Sequence, residues 1–136
     1  MALKVELKPH ERIIVGSCVI TNTETRAKLL IEGERIPILR EKDIMKPQAA
    51  NTPAKLIYLA VQLMYISTDP RENHPTYFNL VKEMVQAAPS TWSIIEEINN
   101  CILSGDLYRA LKESRKLIEL EERLLNQAQA ASTAET

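Results

Sequence analysis

The hydrophobic pattern of the chain changes period once, between Met45 and Pro53. Upstream, apolar and polar residues alternate: Leu3, Val5 and Leu7 with Lys4, Glu6 and Lys8, then Ala27, Leu29 and Ile31 with Lys28 and Glu32. A period of two turns successive side chains to opposite faces of a strand. Downstream, apolar residues recur at spacings of three and four, the repeat of an amphipathic helix. The break predicts an α+β chain: a small N-terminal five-stranded antiparallel β module followed by a four-helix C-terminal bundle. The expected boundaries are 1–46 for the β module, 47–52 for a linker, 53–127 for a helical bundle serving interaction or dimerisation, and 128–136 for a disordered tail.

The five strands are placed at Leu3–Leu7, Ile13–Val15, Cys18–Thr21, Ala27–Ile31 and Arg35–Leu39. Pro9 ends the first, because proline cannot donate to a ladder. Gly16-Ser17 turns the second into the third. Glu32-Gly33-Glu34 reads as a hairpin turn joining the fourth to the fifth. Pro37, inside the fifth, puts that strand at an edge or a bulge. Arg40–Met45 is expected to turn into a short helix. Five short strands bury little by themselves, so the module needs either the helices or a second copy of itself.

Thr52-Pro53 has the form of a helix start, cap then first-turn proline. The helix it opens is apolar nearly all round to Ser67, interrupted by Lys55 and Gln62, which marks a central or interface helix. His74-Pro75 opens a second, with Tyr77, Phe78, Val81, Met84, Val85 and Ala88 on one face. Pro89 stops it and Ser90 caps a third, buried through Ile94, Ile95, Ile98 and Ile102. Gly105 ends that helix and Asp106 caps the last, whose core stripe is Leu107, Leu111, Ser114, Leu117, Ile118, Leu124 and Leu125. Trp92 is assigned to the core, and Cys18 and Cys101 to two buried, reduced thiols.

Charge is uneven along the chain. Residues 1–50 hold nine Lys/Arg against seven Asp/Glu, and residues 51–136 hold eight against eleven. The longest apolar run, Leu56–Ile66, is too short to span a bilayer, and nothing before Lys8 reads as a signal peptide. A membrane role is therefore not expected, and a cytoplasmic location is.

No catalytic constellation is visible, so the chain is expected not to be an enzyme, and no cofactor or metal is expected. His10 and His74 each sit beside a proline without a second ligand at metal-binding spacing. Glu96-Glu97 and Glu121-Glu122 are adjacent on helices and do not converge. Three glycines, at 16, 33 and 105, cannot build a phosphate-cradling loop. Arg109, Lys112, Lys116 and Arg123 line one side of the last helix. They form either a phosphate-tracking stripe or a solvated face, and Arg109–Glu113 and Arg115–Glu119 offer i,i+4 pairing.

The remaining basic set lies on the β module: Lys4, Lys8, Arg12, Arg26, Lys28, Arg35, Arg40 and Lys42. Cations on a sheet can hold phosphates while neighbouring groups read unpaired bases. No aromatic residue precedes Tyr58, so stacking platforms are absent from this module. A charged, solvated sheet surface accounts for the same residues.

Several long blocks resemble one family. Met1–Lys8 with Glu11–Gly16 (MALKVELKPHERIIVG), Ile36–Met45 (IPILREKDIM), Thr52–Tyr65 (TPAKLIYLAVQLMY), His74–Phe78 (HPTYF), Ala87–Thr91 (AAPST) and Gly105–Lys112 (GDLYRALK) are similar to the flagellar biosynthesis repressor FlbT family, over about residues 1–127. The resemblance implies a cytoplasmic post-transcriptional regulator of flagellum biogenesis. It would bind the 5′ untranslated region of flagellin mRNA and promote its degradation or block translation. It also implies functional partnership with the protein FlaF. Glu11–Gly16, Val19 and Ile38–Ile44 further resemble the mRNA-binding regulator CsrA, whose five strands interleave between two subunits and whose RNA surface uses the first and last strands. That similarity implies a homodimer or higher homo-oligomer and places RNA-binding candidates at Ile38 and Arg40, with first-strand contacts near Leu3–Leu7. Leu7 stands where that family carries arginine, and Lys8 is the nearest cation. The candidate set is then Lys4, Lys8, Ile38, Arg40 and Lys42. A second expectation keeps the helices as the functional part, a module for a flagellar partner such as FlaF or flagellin, with messenger RNA affected indirectly.

Overall fold

The computed structural model describes residues 2–134, with side chains described through Ala130. It divides into two compact units, Met1–Ile44 and Met45–Thr136. The first is α-free and the second is helical, as the change of hydrophobic period requires.

The β unit contains five strands: β1 (Ala2–Leu7), β2 (Arg12–Val15), β3 (Cys18–Thr21), β4 (Ala27–Glu32) and β5 (Ile38–Arg40). They form two antiparallel sheets, a β1-β4 ribbon and a β3-β2-β5 sheet. In the ribbon, Leu3 faces Ile31, Val5 faces Leu29 and Leu7 faces Ala27, which collects the apolar residues of both strands on one side. Val5, Leu7 and Ile13 form the buried core, with Val15, Leu29, Ile31 and Ile38 packed against it.

The hairpin expected at Glu32-Gly33-Glu34 is not formed: β4 pairs with β1, and β5 pairs with β2. The chain crosses between sheets through residues 33–37, where Arg35 takes a left-handed φ of 57°. β5 begins only after Pro37, whose carbonyl accepts the Gly16 N–H at 2.8 Å. Proline at the strand's threshold removes no ladder donor. Gly16 turns β2 into β3 with φ 62°, a conformation that favours glycine. Beyond β5, the expected short helix is a single 3-10 turn, Glu41–Asp43.

The helical unit contains α1 (Pro53–Ile66), α2 (His74–Ala87), α3 (Trp92–Leu103) and α4 (Leu107–Ala134). α1 packs along α4 and α2, and α3 packs along α4. The sequence caps hold: Thr52 Oγ1 accepts the Lys55 N–H, and Asp106 Oδ1 accepts the Arg109 N–H. At the end of α3, Gly105 (φ 81°) lets the Asp106 N–H reach back to the Cys101 carbonyl at 2.9 Å, closing the helix.

Of the buried polar residues in this unit, Thr91 and Ser114 donate to carbonyls three and four residues back, while two others find partners in distant parts of the chain. Glu121 on α4 is buried, and its Oε2 accepts the Ala54 N–H at 2.9 Å, one of the free donors at the start of α1. Gln62, also buried, binds the Met45 backbone from both ends of its amide, accepting from N–H at 2.6 Å and donating to C=O at 3.1 Å. The polar interruption of an apolar helix is thus a clamp on the segment that leads into it.

Several expectations are corrected. α3 starts at Trp92 rather than Ser90, after a 3-10 turn at Pro89–Thr91, and Trp92 is exposed while Thr91 is buried. Leu125 and Phe78 are exposed too, because the stripes they continue run past the packed face. Cys101 is buried and its thiol is pushed above the usual range by that burial, but Cys18 is exposed on β3. α4 continues through Ala134 where a disordered tail was expected from 128, and that expectation for residues 135 and 136 lies outside the described residues. Among the described residues no helix is long and apolar enough to cross a membrane.

Candidate nucleic-acid interface

The alternation that buries one face of the β1-β4 ribbon turns its charged residues to the other. Lys4 faces Leu30 and Glu6 faces Lys28 across the ladder. Positions two apart share a face and lie about 7 Å apart along the strand. Lys4, Glu6, Lys28 and Leu30 therefore form one outward patch, lining a shallow hollow of about 520 Å³ with Val5 and Leu29 beneath.

Glu6 organises the cations around this patch. Its carboxylate pairs with Arg26 Nη1 at 2.9 Å, both side chains being well exposed. Its backbone carbonyl accepts from Arg40 Nη2 at 3.4 Å, a long bond. Arg40, at the end of β5, thus reaches β1 of the other sheet while its side chain stays exposed. Arg26, Lys28 and Arg40 surround Glu6, with Lys4 one pleat further along β1. The same register puts Glu32 on this face opposite Ala2, so the ribbon's own charges balance, and the positive excess comes from Arg26 and Arg40 at its margin, where a phosphate can replace water without a burial cost.

Of the residues picked from sequence, Lys4 lies on this patch and Arg40 reaches the Glu6 backbone at its edge. Lys8 follows β1 in a tight turn, its N–H donating to Glu11 Oε1 and its C=O accepting from Asn22 Nδ2, both at 2.9 Å. Lys42 lies in the 3-10 turn, held in place where the Arg12 N–H donates to Glu41 Oε2 at 3.1 Å. Ile38 is half-buried and packs on the Val5–Leu7–Ile13 core, so only part of its side chain faces outward. Lys28 and Arg26, named in the wider basic set but not among the final candidates, belong to the patch, as does Leu30, which the sequence did not point to. Only the β1-β4 register brings Leu30 and Lys28 beside Lys4 and Arg26 to Glu6, and a non-consecutive pairing leaves no local signal in the sequence.

Three of the four cations on the basic side of α4 make contacts within the helical unit. Arg109 pairs with Glu97 on α3 at 3.1 Å, not with Glu113. Lys116 pairs with Glu113 at 2.9 Å, and Lys112 Nζ sits 4.7 Å from the centre of the Tyr108 ring. His10 takes a left-handed φ of 65° in the turn after β1, and His74 stands edge-on to Phe78 at the start of α2.

Fold and surface together define a small α+β protein with two units and an exposed charged ribbon flanked by Arg26 and Arg40. The chain belongs to the FlbT family: the profile of the flagellar protein FlbT matches residues 3–125. It is 71% identical over 130 residues to the probable flagellum biosynthesis repressor protein FlbT 1 of Bradyrhizobium diazoefficiens, covering 96% of this chain and 89% of the relative. A probable flagellum biosynthesis repressor protein FlbT of Rhodopseudomonas palustris is 52% identical over 126 residues, 93% of this chain and 99% of its own length. The flagellum biosynthesis repressor protein FlbT of Caulobacter vibrioides is 31% identical over 137 residues, 98% and 96% of the two chains. No solved structure matches the chain.

Proposed function

We propose that this protein regulates flagellum synthesis in the cytoplasm as a non-enzymatic, self-associating RNA-binding protein that docks on the 5′ untranslated region of flagellin mRNA. A regulatory role accords with the names of its relatives. The observation that carries the RNA reading is the exposed charged patch of the β1-β4 ribbon, where Lys4, Lys28 and the flanking Arg26 and Arg40 outnumber Glu6 and Glu32. Lysine and arginine there hold phosphates, and Leu30 offers an aliphatic surface to an unstacked base. Occupation of the leader blocks the ribosome or opens the message to nucleases, so the protein itself needs no cutting chemistry.

The test is a gel shift of purified protein on flagellin leader RNA and a scrambled control, across a salt series. Lys4→Ala should weaken both RNAs alike and flatten the salt dependence by about one unit of slope. Arg40→Ala should weaken leader binding, and unchanged affinity would remove that residue from the interface.

One observation favours a second reading. Leu56, Leu59 and Leu63 lie on one face of α1 at helical spacing, and Leu56 and Leu63 are 38% and 42% exposed. Such a stripe suits a helix of a protein partner, with FlaF or flagellin as the candidates. Leader binding that appears only after a partner is added would select this reading.

A further inference from the structure

The β unit leaves one sheet edge undefended. β3 pairs with β2 alone, and among the described residues no strand lies on its other side. All four of its residues are exposed, Val19 at 62% and Ile20 at 39%. Each of β1, β2, β4 and β5 carries at least one charged residue, whereas β3 (Cys18-Val19-Ile20-Thr21) carries none, and no charge occurs from Ile13 to Thr23. β3 is short at four residues, but it carries none of the charge, proline or bulge by which longer edges resist strand addition.

The backbone states which groups are open. The Asn22 N–H donates to the Glu11 carbonyl at 2.9 Å, so Asn22 faces β2. By alternation Ile20 and Cys18 also face β2, while Val19 and Thr21 point their N–H and C=O groups away from it. We propose that a second copy of this chain covers this edge, β3 pairing antiparallel with β3 of the other copy about a two-fold axis through Ile20. This locates the self-association invoked above and does not depend on RNA binding.

Self-pairing fits because an antiparallel ladder must set outward-facing residues opposite one another. With the axis at Ile20, Val19 of each chain faces Thr21 of the other, and all four open groups on each strand are satisfied. Centring on Val19 would instead leave Thr21 opposite Ser17, in the turn. The Ile20 side chains then meet on the axis at a non-hydrogen-bonded position, where side chains come closest. The two three-stranded sheets become one six-stranded sheet. A two-fold contact uses the same patch twice, so an uncharged strand meets no opposing charge.

The register gives a direct test. Sedimentation or light scattering of the full chain at tens of micromolar should report twice the chain mass. Thr21→Pro deletes a donor that does not bond β2, sparing the intrachain ladder while removing two of the four intermolecular bonds. It should weaken self-association by about tenfold or more. Ile20→Lys should do the same through repulsion on the axis. In a Cys18→Ser background, Ile20→Cys should form a covalent dimer under mild oxidation, since directly opposed residues of this type lie about 4.5 Å apart at Cα. Thr21→Cys should cross-link poorly. A monomeric wild type would overturn the proposal, as would a dimer indifferent to Thr21→Pro and Ile20→Lys with no Ile20→Cys cross-link. Leader affinity, read separately, decides the RNA proposal.

Discussion

The two units solve the burial problem in different ways. Among the described residues the helical unit holds seventeen buried apolar residues; Thr91 and Ser114 bond within their own turns, but other polar groups are served from distant sequence: Glu121 on the α1 terminus, Gln62 on Met45, the Tyr77 hydroxyl on Asn99 at 2.6 Å. The β unit holds four, Val5, Leu7, Ile13 and Leu39, and keeps its cations in water. The helices put their polar chemistry into their own architecture, while the ribbon leaves its polar chemistry available. So small a core leaves most of the β unit's charged residues at its surface.

The contrast can be broken at its strongest point first. Ile57 is fully buried in α1, and Ile57→Ala should cost about 3 kcal/mol through lost transfer energy and the cavity left behind, read as a lower denaturant midpoint by circular dichroism. A loss under about 1 kcal/mol would mean that the helical core is loosely packed. Next, Glu121→Ala leaves the Ala54 N–H without its acceptor and should cost about 1–3 kcal/mol, with Glu121→Gln recovering much of it. If both variants match wild type, the buried cap is not an energetic contact.

A smaller effect tests the same burial by pH. Burial raises the Tyr77 phenol above its ordinary 10.0, the charge of Cys101 acting in the same direction. The unfolded chain then loses this proton first. The contribution is complete below pH 10 and fades as pH rises above it. Tyr77→Phe, which has no proton to lose, should show a shallower alkaline decline in thermal stability. Smallest of all, Arg26→Ala breaks an exposed ion pair and should change stability by less than about 1 kcal/mol. Arg40→Ala should be similarly mild for the fold, since its one bond is long and solvated. A strong destabilisation by either would show that the ribbon's cations are structural after all.

Element type was legible because period and caps are local. Leu3, Val5 and Leu7 announce a strand, and Thr52-Pro53 and Gly105-Asp106 announce helix boundaries that the backbone bonds confirm. The hairpin expected at Glu32-Gly33-Glu34 failed because a turn signal says that a chain can reverse, not which strand it will meet. Matching Leu3, Val5 and Leu7 to Ile31, Leu29 and Ala27 joined β4 to β1 instead. The same non-local choice made Lys28 a near neighbour of Lys4 and Arg26 a partner of Glu6, beyond the reach of spacing arguments. Trp92 was misplaced for a related reason: a large apolar side chain wants burial, but a helix's first residue is covered only if a neighbour happens to lie over it.

By itself the sequence determined the order of strands and helices, the point where one gives way to the other, and the sign of charge on each half, since all of these rest on residues close together in the chain. The tertiary structure decided which strands pair, which cations gather around Glu6, which buried carboxylate caps α1, and that β3 is left with a bare edge. Those outcomes depend on groups far apart in sequence competing for the same partners, and that competition is settled only when the chain folds.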